Sequence, residues 1–134
     1  MTAQGDCTSK NIIYAAVCQI CSDIYVGRST QMLASRNNGH RAKFIRYSKM
    51  ISDGTTLDPS ELDDEYTLGI HLHTTHKLTD KHGFDNFYKF TILEVCNPRD
   101  IARKEHLWIH KLRTLHPQGL NLCSTFGLPL LFHH

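Results

Sequence analysis

The stretch NIIYAAVCQICSDIYVG, residues 11–27, decides the fold. Its first part, Asn11 to Val17, is apolar at both odd and even positions, the pattern of a strand covered on both faces. A short polar break from Cys18 to Asp23 separates it from a second strand, Ile24 to Gly27. The break is short enough that the two strands should pair as a hairpin.

Downstream of the hairpin, Ser29 or Thr30 is expected to cap a helix running to about Met50. Asp53-Gly54 and Pro59 mark a loop, and Tyr66 to Thr75 reads as a short helix. Asp80 to Asp85 is a turn region, and Phe87 to Val95 is rich in β-formers. Arg99 to Leu115 is a strongly amphipathic helix, closed by Pro117 and Gly119. This order predicts an α+β fold with a small sheet and helices packed against it. Residues 1–10 are expected to fray, 11–122 to form one domain, and 123–134 to be an irregular tail.

At 134 residues the chain is long enough for one real core. No apolar run approaches the roughly 20 residues that cross a bilayer. The first residues lack the basic-then-apolar pattern of a secretory signal, so an intracellular product, or a domain of a longer intracellular chain, is expected. Five cysteines in such a chain argue against a disulfide framework. Net charge is only +2, but its distribution is uneven. Residues 10–46 hold six Lys/Arg against one acid, and residues 51–65 hold six acids and no Lys or Arg. The basic segment could meet a phosphate backbone, or both could be solvated faces.

Two helices carry polar residues where a core belongs. Leu33, Arg36, His40, Phe44 and Tyr47 share one face of the first helix. In the last helix, Glu105 interrupts a stripe formed by Ile101, Trp108 and Leu112, with Ile109 alongside. A buried carboxylate needs a partner. Pairing with Arg36 would be structural. Alternatively, Glu105 holds a hard cation such as Mg²⁺ and Arg36 faces a phosphate. Tyr14 and Tyr25, on adjacent strands, are either core residues or part of the same site. Two phenols, a guanidinium, an imidazole and a carboxylate together suit phosphodiester hydrolysis.

Ile12-Ile13-Tyr14 followed by Tyr25-Val26-Gly27 resembles the signature of the GIY-YIG nuclease superfamily. The resemblance continues through Arg36, His40 and Glu105 to Pro117-x-Gly119-Leu120-Asn121, and departs from it at Ile12, which stands in place of glycine. It implies a three-stranded antiparallel sheet flanked by helices, with one active site and one Mg²⁺ or Mn²⁺. Glu105 would be the sole protein ligand of that cation, and Arg36 would contact the scissile phosphate. Tyr14, Tyr25 and His40 would position or deprotonate water, Asn121 would hold the architecture, and Gly27 would permit close approach.

Cys18-x2-Cys21 and His71-x4-His76 add the two ligand pairs of a Cys2His2 zinc site. The separation is far too long for a DNA-reading finger but tolerable for a clamp, because loop closure costs grow slowly with length. For the two histidines to converge, the short helix should end near Thr74, or His73 should replace one of them. Free thiols in a turn are the simpler alternative. These pairs, with the Arg36-x3-His40 step, are similar to the endonuclease domain of Penelope-like retroelements, although Gly39 stands where that group has glutamate. That likeness implies an enzyme nicking DNA to prime reverse transcription, nuclear if the element is eukaryotic, either as a monomer or as part of a larger reverse-transcriptase polypeptide. Competing expectations are a zinc-stabilised nucleic-acid-binding module without activity, and a repair or mobile-intron nuclease of the same superfamily.

Overall fold

Ile12–Cys18 and Ile24–Ser29 form strands β1 and β2, and Tyr88–Val95 forms β3. The computed structural model describes residues 9–55 and 64–121. Most of the expected N-terminal segment, the middle of the acidic stretch with Asp58, Pro59, Glu61 and Asp63, the tail 123–134, and Cys7 and Cys123 lie outside the described residues.

The strands pair antiparallel in the order β2-β1-β3, so β1 is central. That position explains the double-sided apolar pattern: Ile12, Ile13, Tyr14, Ala15 and Ala16 are all buried. The register sets Tyr14 opposite Gly27 and Ala16 opposite Tyr25. A shift between Ile13 and Tyr14 marks a bulge against β3, which turns the strand locally. Ile12 is fully buried and pairs with Ser29 and Val95.

Alternation divides the core into two layers. On one face Tyr14, Ala16, Cys18 and Tyr25 pack with Phe44, Leu68 and Leu72. These last three come from helices α1 (Leu33–Ser52) and α2 (Thr67–His76). On the other face Ile13 and Val26 pack with Ile101 and Ile109 of helix α3 (Ile101–Leu112). The chain is thus α+β, with one small antiparallel sheet between two helical layers.

Three helix ends differ from expectation. Helix α1 starts after Met32, whose backbone is extended and whose side chain makes no cap bond. The buried Ser29 hydroxyl instead accepts the Gln31 N–H at 2.9 Å, a local turn that delays the helix. Helix α2 continues past Thr74 to His76, where Lys77 in the left-handed region (φ 59°) ends it. Helix α3 stops at Leu112, well before Pro117, because Arg113 turns left-handed (φ 55°). Its last carbonyls are taken by the turn: the Thr114 N–H donates to the Ile109 carbonyl at 3.0 Å.

The segment after α3 then returns to the outer strand. The Leu120 N–H donates to the Ile24 carbonyl at 2.9 Å. Asn121 works as a side-chain clamp on Val26, accepting its N–H and donating to its carbonyl, both at 2.8 Å. The buried Thr114 hydroxyl donates to the same Asn121 oxygen at 2.7 Å. One amide therefore satisfies the outward-facing backbone groups of an edge strand, which would otherwise be unpaired.

Candidate functional site

Four of the residues singled out in the sequence meet on the α1–α2 side of the sheet. Tyr14 and Tyr25 are contributed by the hairpin, with ring centroids 6.3 Å apart. His40, fully buried on α1, presents its ring edge-on to Tyr25 at 5.6 Å. The Tyr14 hydroxyl lies 2.7 Å from His40 Nε2, and His40 Nδ1 lies 3.2 Å from the main-chain carbonyl of Glu65. A carbonyl can only accept, so Nδ1 carries the proton. In the neutral ring Nε2 is then the acceptor, and Tyr14 donates its hydroxyl proton to it.

Gly27 makes this possible by having no side chain. A Cβ there would fall 2.4 Å from the Tyr14 Cζ and hydroxyl oxygen, so the phenol occupies the space over the outer strand. Arg36 lies one turn before His40 on the same helix face. Its Nη1 pairs with Glu65 Oε2 at 3.0 Å. Burial would lower the guanidinium's basicity, but Tyr14, Glu65 and Tyr25 outweigh it and hold the group above its ordinary value. Arg36 Nε is buried and has no hydrogen-bond partner among the described residues. A buried N–H of a charged group without an acceptor is costly, and an anionic oxygen would remove that cost.

Glu105 belongs to the other layer. Ile101, Glu105 and Ile109 form the buried face of α3 against β1 and β2, while Trp108 and Leu112, expected on the same stripe, are only partly buried. The Glu105 carboxylate faces Arg28 of β2, with Nε and Oε1 3.8 Å apart. The charges therefore pair as Arg36 with Glu65 and Glu105 with Arg28.

A second cluster lies at the turn of the hairpin. Cys18 ends β1, and Cys21 follows in a turn closed by the Ser22 N–H on the Cys18 carbonyl at 2.8 Å. Cys21 Sγ is 3.3 Å from His71 Nε2, and Cys18 Sγ is 3.5 Å from His76 Nε2. The two Nε2 atoms are 3.2 Å apart, and all four ligand atoms lie within 4.8 Å of one another. In a tetrahedral zinc site, bonds near 2.3 Å to sulfur and 2.0–2.1 Å to nitrogen give N···N edges of about 3.3 Å and S···N edges of about 3.6 Å. Three of the six separations, 3.2, 3.3 and 3.5 Å, are near these edges, all four atoms lie within 4.8 Å of one another, and these residues could bind a metal ion such as zinc.

The fold resolves the five-residue step that separates the two histidines. It turns the chain about 140° around a helix, yet His76, the last helical residue, brings its Nε2 within 3.2 Å of His71 Nε2. The rings meet with centroids 4.8 Å apart, near perpendicular. His73 takes no part in the cluster. It packs edge-on against Tyr47 of α1 at 5.5 Å. Burial, and then His76, lower the basicity of His71, favouring the neutral ring that ligates. Burial raises the Cys21 thiol, Asp23 N–H bonding opposes this, and Cys18 adds to the rise. Cys18, Cys21 and Cys96 are all free thiols.

Two charged residues of these clusters escaped the sequence reading. Arg28 gave no signal, being an exposed position on an edge strand. Glu65 was hidden in the acidic run, but Gly39 in the middle of α1 was its trace, since an interior helix glycine usually has a packing reason. Among the described residues, no helix is long and apolar enough to cross a membrane. Comparison of the chain with protein-family models, with curated proteins and with solved structures found no match.

Proposed function

We propose that the domain is a divalent-metal-dependent endonuclease that hydrolyses phosphodiester bonds in DNA, one strand at a time. The observation that carries this reading is the chain Tyr14–His40–Glu65 beside Arg36, whose buried Nε has no partner. A proton route and an anion site side by side are what phosphodiester hydrolysis requires.

In this reading the scissile phosphate lies at the outer strand β2, attracted by the Arg36 guanidinium. Tyr14 gives its proton to His40 Nε2 and takes one from the attacking water. The water oxygen bonds to phosphorus as the ester oxygen leaves with the electron pair of its bond. Tyr25 shapes the wall beside His40, and Asn121 keeps the strand in place. Glu105 would hold the Mg²⁺ or Mn²⁺, which supplies charge stabilisation for the phosphate and the departing oxygen. The Cys18, Cys21, His71 and His76 set would hold a structural zinc bracing the hairpin. One site per chain implies a nick, and a nick in a nuclear retroelement setting supplies an end for reverse transcription.

Supercoiled plasmid, incubated with Mg²⁺ or Mn²⁺, tests this. Wild type should convert it to open circles. Glu105→Ala should slow that by at least about 1,000-fold, some 4 kcal/mol of transition-state stabilisation, with an unchanged circular dichroism spectrum. Undiminished nicking by the variant would sink the assignment of Glu105. DNA binding by a wild type that never nicks would instead favour a zinc-stabilised binding module.

A further inference from the structure

We propose that Glu65 is the positioning residue of this site, its carboxylate aiming Arg36 and its main-chain carbonyl fixing the tautomer of His40. The chemical meaning of the proposal rests on the endonuclease reading above. The geometry behind it does not.

In the sequence Glu65 is the last of six acids in residues 51–65, a stretch whose composition reads as a solvated loop. The fold leaves Glu65 partly buried, whereas Asp53 at the start of the stretch is exposed. It stands within the short 3-10 turn Asp64–Tyr66 that leads into α2. From there it reaches α1 twice. Its Oε2 pairs with Arg36 Nη1 at 3.0 Å, and its carbonyl accepts from His40 Nδ1 at 3.2 Å. The two side chains of the ion pair are only 24% and 27% exposed, so the pair is shielded far better than a typical surface bridge.

Gly39 shows that this arrangement is built in. A Cβ at position 39 would lie 2.5 Å from Glu65 Oε2. The carboxylate fills the seat that any larger residue there would claim. Glycine inside a helix costs about 1 kcal/mol relative to alanine, and here it leaves the space that the Glu65 carboxylate occupies. With Nη1 tied to Glu65, the plane of the guanidinium is set and the unpartnered Nε has a defined direction. A merely structural ion pair would stabilise the protein. A positioning pair must also be felt in the rate.

Two variants separate these possibilities. Glu65→Gln removes the charge and keeps the main-chain carbonyl. Gly39→Ala leaves Glu65 intact but puts a methyl group in its seat while improving helix propensity. Each should lower kcat for plasmid nicking about 10- to 100-fold, with KM changed less than about threefold and no more than a small shift in Tm. The double variant should be no worse than either single one, because both break the same contact. Glu65→Asp should recover part of the loss. Wild-type kcat in either variant, a loss confined to KM, or additive losses in the double variant would overturn the proposal.

If the wild type does not nick DNA, the endonuclease reading fails, but Glu65 can still be judged on the free protein. The Arg36 Nε–Hε cross-peak in a ¹⁵N spectrum should be sharp in wild type and exchange-broadened in Glu65→Gln. An identical peak in both proteins would dispose of the proposal without any activity measurement.

Discussion

The hairpin carries two histidine clusters on the same face of the sheet, and they are built on opposite principles. At the tyrosine end the polar groups satisfy one another: Tyr14 donates to His40, and His40 donates to the Glu65 carbonyl. That network is complete except at Arg36 Nε, where one donor is left over. At the turn end the ligand atoms of Cys18, Cys21, His71 and His76 lie within 4.8 Å of one another, three of their separations being 3.2–3.5 Å. The first cluster holds together without an added cation. The second makes chemical sense around a cation. The lesson is that two polar clusters on one sheet face can be told apart by their partners: one is held by donors and acceptors of the chain itself, and the other brings four potential metal ligands together.

The largest way to break this contrast is to remove the cation. Cys18 is fully buried, so Cys18→Ser should release about one zinc per chain and cost about 3–5 kcal/mol, roughly 10–20 °C in Tm. Nicking below the new transition, with Mg²⁺ supplied, should persist within a few-fold. Complete loss of nicking in a still-folded Cys18→Ser protein would mean that the two clusters are not separable. Metal analysis and calorimetry on the same samples decide the stability half.

A smaller effect, with the opposite signature, is expected at Gly27. Gly27→Ala would place a methyl group 2.4 Å from the Tyr14 ring and hydroxyl, forcing the phenol away from His40. Displacement by about an ångström is worth about 100-fold in rate, against an overpacking penalty of about 1–3 kcal/mol. Zinc content should not change. Nicking at the wild-type rate would show that the Tyr14–His40 contact is not on the proton route.

The smallest effect serves as a control away from both clusters. On the α3 side Trp108 Nε1 donates to Glu94 at 2.9 Å, and Lys104 lies 3.0 Å from the same carboxylate. Burial pushes the Glu94 carboxyl up, but the bonds from Trp108 and Lys104 outweigh it and hold it below its ordinary value. A depressed value means that the stabilisation is present above the ordinary carboxylate range and is lost as pH falls through the folded-state value. Glu94→Gln should therefore be slightly less stable than wild type near neutrality, and the two should converge in acid. Denaturant titrations across pH read this directly. A difference that grows toward low pH would reverse the sign and refute it.

Sequence reading goes furthest where local periodicity carries the information. The double-sided apolar pattern of residues 11–17 reflects a central strand, and helical spacing put Glu105 and His40 within apolar stripes that are in fact buried. Spacing also singled out both halves of the Cys/His cluster. It failed at helix ends, since the stops at His76 and Leu112 depend on left-handed residues, Lys77 and Arg113, that carry no glycine signal.

By itself, then, the sequence determined the element order, the faces of each helix and strand, and an inventory of groups able to relay protons or ligate metal. Those are consequences of fixed periods, 3.6 and 2.0 residues, that any stretch of chain obeys locally. Only the tertiary structure decided how the charges pair: Arg36 with Glu65, and Glu105 with Arg28 across the other layer. Such pairings join residues far apart in the chain. They depend on space left by particular neighbours, as Gly39 leaves it for Glu65 and Gly27 for Tyr14, and no local period records that space.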